Sequence, residues 1–301
     1  MSILVNWLES LHKEMKVTAK CSRVRNKKST CRYCMEKCKH NAIELNGELL
    51  IIDTKKCTLC GECMIACPSS AIEGVASNRN FEKGSLIFDK SYTPSLKELL
   101  IYKKRGMTSI QISDQALNQE WEKVLVDTNK RLKLLDESPI TVTEKVRDEV
   151  LSRRAFFGSF QREGKQLAKR MAPVAWKMEQ DDWKITKYFP NYQFYSVEIN
   201  PYECTLCQTC FSLCGEVVFK LMDGKLLIKA EWCVNCTSCR DVCPEEAIKI
   251  QPEIKRKNEQ YEFVHSKTCK DCGHTFYTFD KETEKCHMCK NRDPDWLSPY
   301  E

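Results

Sequence analysis

Four cysteine runs align on one pattern in this chain. They are Cys31-x-x-Cys34-x-x-x-Cys38, Cys57-x-x-Cys60-x-x-Cys63-x-x-x-Cys67, Cys204-x-x-Cys207-x-x-Cys210-x-x-x-Cys214 and Cys233-x-x-Cys236-x-x-Cys239-x-x-x-Cys243. Apolar residues follow each last cysteine four and five positions on: Ala42/Ile43, Ala71/Ile72, Val218/Phe219 and Ala247/Ile248. Cys38 to Cys57 is 19 residues, and so is Cys214 to Cys233. Between each pair lies a hairpin pattern with Asn46-Gly47 or Asp223-Gly224 at its tip. The chain therefore carries one two-run module twice, and that repeat limits the fold more than any other feature. The first run departs from the others, with Lys28 standing where its first cysteine is expected. Pro68 and Pro244 follow two of the last cysteines, whereas Lys39 and Gly215 take that place in the other runs.

Twenty cysteines in 301 residues exceed what packing uses. Disulfide scaffolds are small and secreted, and the N-terminal MSILVNWLESLHKEMK has no basic segment followed by a long apolar one. Pairs spaced by two residues point instead to metal thiolates in a reducing cytoplasm. No stretch approaches the roughly 18 apolar residues of a membrane span. The internal LSRRAFFGSF resembles a twin-arginine signal, but it lies mid-chain, precedes a polar stretch and reads as helix.

Over about 55 residues, twice, the sequence resembles the bacterial dicluster ferredoxin family, whose C-x2-C-x2-C-x3-C-P run wraps three irons of one [4Fe–4S] cubane and lends its fourth cysteine to the other. The resemblance implies four clusters. One set is Cys204, Cys207, Cys210 and Cys243, with Cys233, Cys236, Cys239 and Cys214 as its companion. Cys57, Cys60, Cys63 and Cys38 form a third. The remaining set has Cys31, Cys34 and Cys67 and lacks one thiolate. Cys21 is the one spare cysteine upstream and is read as the displaced ligand. A free Cys21 beside a three-iron cluster, or zinc at this position, stays open.

The tail offers Cys269, Cys272, Cys286 and Cys289, two C-x-x-C knuckles suited to a tetrahedral Zn²⁺ site on a zinc ribbon, with a single-iron site as the rival. Residues 77–146 carry no cysteine and read strand, helix, strand, helix, strand, an alternation that favours parallel pairing. The expected fold class is α+β: two ferredoxin-like dicluster modules separated by a small α/β insert and a basic helix, then the ribbon. In order these are an amphipathic helix (1–16, with Leu4, Trp7, Leu8 and Leu11 on one face), module one (17–76), the insert (77–146), a basic helical linker (147–200), module two (201–252) and the tail (253–301).

The formal charge of +6 treats thiols as neutral. Four clusters and a zinc tetrathiolate, each near −2, would bring it to roughly −4, so basicity does not argue for nucleic acid. The chain lacks G-x-G-x-x-G, G-x-x-x-x-G-K-[ST], H-E-x-x-H and C-x3-C-x2-C, the patterns of dinucleotide, nucleotide, metalloprotease and radical chemistry. The expectation is a cytoplasmic electron-transfer subunit without a catalytic site of its own. It would pass single electrons between a catalytic redox subunit, of formate dehydrogenase, hydrogenase or aldehyde oxidoreductase type, and a donor or acceptor protein in a hetero-oligomeric complex. The competing expectation is an assembly or regulatory factor with structural clusters. From Lys20 to Lys39, eight basic residues stand against Glu36; their charge would favour the reduced form of the first cluster and give it the highest potential of the four.

Overall fold

The computed structural model describes residues 15–47, 49–75, 79–113, 115–144 and 182–290. Most of the expected N-terminal helix, and the basic helical segment through residue 181, lie outside the described residues. Among those described, no helix is long and apolar enough to cross a membrane. The chain forms two compact units, one of residues 1–21 and 32–189, the other of residues 22–31 and 190–301.

The first unit begins with β1 (Lys16–Val17), helix α1 (Tyr33–Lys37), hairpin β2 (Ile43–Asn46) and β3 (Leu49–Ile52), α2 (Glu62–Ala66) and β4 (Ile72–Glu73). Strand β1 pairs antiparallel with β4, and β2 with β3. Asn46 pairs with Leu49, so the first hairpin turns at Gly47, one residue later than the Asn46-Gly47 reading. Its turn aligns with Asp223-Gly224 of the second module only when the two are counted from their cysteines. The insert follows as β5 (Phe81–Glu82), β6 (Ser85–Ile87), α3 (Leu96–Arg105), β7 (Ser109–Ile112), α4 (Gln119–Leu134) and β8 (Thr141–Glu144), with a short α5 (Ile185–Tyr188) beyond. The sheet order is β5-β6-β7-β8, and β6, β7 and β8 run parallel, as strand–helix alternation requires.

Local chemistry sets the helix ends. Ser95 and Glu98 form a capping box at the start of α3, and Gly106 ends it at φ 109°. Asn118 Oδ1 accepts the Trp121 amide at the start of α4. Leu86, Leu99, Leu100, Ile110, Trp121 and Leu132 are completely buried between helices and sheet. Each such side chain contributes about 1.5–3 kcal/mol, which is ample for so small a layer. The Trp121 indole N–H donates to the Tyr92 carbonyl at 2.7 Å, so its burial leaves no polar atom unpaired.

The second unit contains β9 (Tyr192–Ile199), α6 (Thr209–Leu213), β10 (Phe219–Met222), β11 (Lys225–Ile228), α7 (Ser238–Val242), β12 (Ile248–Arg256), β13 (Gln260–Phe263), β14 (His265–Thr268), β15 (Thr275–Thr278) and α8 (His287–Lys290). Strand β9 pairs antiparallel with β12, and a third strand, β13, covers the outer edge of the β10–β11 hairpin. The core gathers Val197, Ile199, Leu206, Phe219, Leu226, Ile228 and Ile248. The tail is a β14–β15 hairpin followed by α8.

Candidate metal centres

Each three-cysteine wrap depends on unusual backbone. In the three complete runs, the residues two and four positions after the first cysteine lie at positive φ: Leu59 and Gly61, Leu206 and Gln208, Asn235 and Thr237. Five of the six are not glycine, and left-handed backbone at such residues costs of the order of 1 kcal/mol each. The first run differs. Arg32, in the place of Gly61, sits at φ −132°, consistent with a wrap whose first residue is no cysteine.

The fourth cysteines share another turn. The third residue after each is left-handed: Asn41, Ser70, Val217 and Glu246. That kink aims the next amide at sulfur: Ala42 N to Cys38 Sγ at 3.2 Å, Ala71 N to Cys67 Sγ at 3.2 Å and Val218 N to Cys214 Sγ at 3.4 Å. The apolar pair noted after each cysteine then enters the core, with Ala42, Ala71, Ala247, Ile72 and Phe219 all buried. One local device thus orients a sulfur and anchors its loop.

Thiols distant in sequence share a neighbourhood. Burial pushes the Cys63 thiol up to about 12, and charges at Cys60, Cys57 and Cys38 add to the rise. Burial likewise takes Cys210 to about 12, with Cys204, Cys207 and Cys243 contributing. Cys233 reaches about 12 by burial, helped by Cys236 and Cys214. Cys239 is raised by burial and then by Cys233, Cys236, Cys214 and, least, Cys210. Each of these thiols thus has the last cysteine of the neighbouring run among its charged neighbours. Buried thiols that oppose one another's ionisation suit a cationic core, which must displace their protons to bind. One hollow is lined by Cys38, Cys57, Cys60 and Cys63, and another by Cys214, Cys233, Cys236 and Cys239.

Two cysteines of the incomplete set are neighbours within the first unit. Burial raises the Cys67 thiol, the Ala71 amide and the Lys97 ammonium oppose that, and Cys21 adds a smaller upward contribution. Cys21 therefore lies within electrostatic reach of Cys67. Cys34 is buried in the same unit. Cys31 closes the 22–31 segment grouped with the second unit, and its place in the set rests on its spacing from Cys34.

In the tail, ligand atoms of Cys269, Cys272, Cys286 and Cys289 all lie within 4.8 Å of one another. Amides of Cys286 and Cys272 pull Cys269 down to about 6, whereas bonds to Cys286 and Cys272 push Cys289 up to about 12. A bound cation needs all four sulfurs as thiolates, so binding here would release protons.

Two features escaped the sequence pattern. Lys97 on α3 donates from Nζ to the Cys67 carbonyl at 2.8 Å. Arg79 bonds Glu62 at 2.6 Å and Glu98 at 2.8 Å, with all three side chains nearly or fully buried. Both link residues far apart in sequence, and neither belongs to a motif.

The 4Fe-4S binding domain model matches residues 50–73 and 226–249. An uncharacterized ferredoxin of Methanocaldococcus jannaschii is 35% identical over 48 residues, 16% of this chain and 77% of the relative. A second from that organism is 33% identical over 93 residues, 31% of this chain and 60% of the relative. A component of an ion-translocating oxidoreductase complex from Methanosarcina acetivorans is 44% identical over 43 residues, 14% of this chain but only 16% of that relative. No solved structure matches the chain. With paired cysteine runs, the interlocked grouping of their thiols and these relatives in agreement, the chain belongs to the dicluster 4Fe-4S ferredoxin family.

Proposed function

We propose that this chain carries single electrons through four [4Fe–4S] clusters held in two dicluster modules, residues 17–76 and 201–252. The observation that supports the reading most is the grouping of thiols in each of the three complete runs with the last cysteine of its neighbour. The ligand sets are Cys21, Cys31, Cys34 and Cys67; Cys38, Cys57, Cys60 and Cys63; Cys204, Cys207, Cys210 and Cys243; Cys214, Cys233, Cys236 and Cys239. A bound [4Fe–4S] cluster supplies one-electron redox chemistry at a potential set by its surroundings. The chain's own contribution is to hold the thiolates, aim backbone N–H groups at sulfur and limit water around the site.

Cys269, Cys272, Cys286 and Cys289 hold zinc in a ribbon-like tail, a closed four-thiolate site that stabilises the fold and performs no chemistry. The partners are a catalytic redox subunit and an electron donor or acceptor. The similarity to a component of an oxidoreductase complex supports membership in such an assembly. The test is anaerobic purification with metal analysis, dithionite reduction and reoxidation by an acceptor protein. Iron that stays redox-silent would favour a structural role and overturn the carrier reading.

A further inference from the structure

Two groups beside Cys214, Cys233, Cys236 and Cys239 are not required by the ligand pattern. Ser238 is completely buried, its Oγ has no hydrogen-bond partner among the described residues, and it lines the same hollow as these four cysteines. A buried hydroxyl without an acceptor is unfavourable, and sulfur in that hollow would supply one. The equivalent position before Cys63 is Glu62, already paired with Arg79. Before Cys210 it is Thr209, whose hydroxyl lies 3.4 Å from Cys207 Sγ.

The second group is Arg25. Its Nη1 donates to the Leu213 carbonyl at 3.2 Å, and its guanidinium fills the space over Gly215. Leu213 and Gly215 flank Cys214 on either side. A Cβ on residue 215 would sit 1.8 Å from Arg25 Nη1. Gly215 has no positive φ to explain it, so the missing side chain serves the guanidinium. The family's proline would block it, which gives that departure a physical reason. The same segment is pinned further along, where the Thr30 amide and hydroxyl donate to the Asp241 carboxylate at 2.7 and 2.8 Å.

Resting on the cluster reading above, we infer that Arg25 and Ser238 set the reduction potential of the cluster held by Cys214, Cys233, Cys236 and Cys239, raising it above the value its ligands alone would give. A cation and an O–H donor both favour the more negative, reduced form. The basic segment before Cys31 thus serves a cluster of the second module.

The test uses the full chain, purified anaerobically and titrated with dithionite while each cluster's EPR signal is followed. The relevant signal is the one altered by Cys236→Ser. Arg25→Met and Ser238→Ala should each shift its midpoint to a more negative value and leave the other three unmoved. Gly215→Ala should reproduce Arg25→Met by displacing the guanidinium, and Arg25→Lys should restore part of the shift. Unchanged midpoints with the full iron complement would overturn the inference alone. Should Arg25→Met lose iron, Ser238→Ala, which removes a single oxygen from the hollow, still decides. Wild-type protein without clusters would refute the underlying reading instead.

Discussion

Lys97 offers a direct way to connect the insert with the redox site. Its Nζ donates to the Cys67 carbonyl at 2.8 Å, and its charge lowers the Cys67 thiol against the upward push of burial. Burial brings the Lys97 ammonium itself down to about 8, with Cys67 and Asp182 acting to hold its proton. Lys97→Met keeps the stem that packs along α3 and removes the charge. A unit charge ~8 Å from a redox centre, at an effective dielectric near 20, contributes about 2 kcal/mol. For one electron that is about 90 mV, and screening by mobile ions and neighbouring charges reduces it to roughly 40–90 mV. The sign follows from the added electron: a cation favours the reduced form, so its loss lowers the midpoint. Redox titration with EPR should therefore show the first cluster shifting down by that amount, with Lys97→Arg close to wild type. An unmoved midpoint, or an equal shift in all four clusters, would refute the reasoning.

Three further outcomes are expected. Cys21→Ser should lose about four irons of a total near 16 and leave three clusters intact; unchanged iron would return Cys21 to the status of a free thiol. Arg79→Met strands Glu98, which has 0% side-chain exposure, and breaking such a buried pair costs about 3–5 kcal/mol. Burial already raises Glu98 from its ordinary value, and losing Arg79 raises it further, so the penalty is absent below the unfolded carboxylate pKa and grows as pH rises above it. Hydrogen exchange in α3 should consequently quicken more at pH 8 than at pH 6, and Glu98→Gln in the same chain should recover part of the protection. In the tail, Cys286→Ser should abolish zinc binding and speed exchange across β14 and β15 while the iron content holds; retained zinc would count against the four-thiolate site.

The repeat was legible because its devices are local. A left-handed residue three positions after Cys38, Cys67, Cys214 and Cys243, followed by a buried apolar pair, recurs at fixed spacing and needs no tertiary information. The parallel sheet of the insert was legible for a similar reason, since strand–helix alternation leaves few other pairings. What stayed hidden depends on contacts between distant residues. Arg79 with Glu62 and Glu98, Lys97 on the Cys67 carbonyl, and β13 along β11 leave no periodic trace. The basic residues from Lys20 to Lys39 were visible, but not where each one goes. Arg23 donates to the Cys31 carbonyl at 2.6 Å and stays by the first site, whereas Arg25 reaches Leu213 and Gly215. Which cysteine run each basic residue approaches was therefore not readable from the charge count. Gly215 could be noticed as a departure from the family, but the group that occupies its side-chain space is a guanidinium 190 positions away in the sequence.

The central claim, that four interlocked thiolate sets hold four redox-active clusters, is tested most directly by Mössbauer spectroscopy of anaerobically purified, iron-57-labelled full chain before and after dithionite. About 16 irons per chain in [4Fe–4S]²⁺ form, converting to the one-electron-reduced state and returning on addition of an acceptor protein, is the predicted result. About 12 irons or fewer in such clusters, or a spectrum that dithionite leaves unchanged, would contradict it.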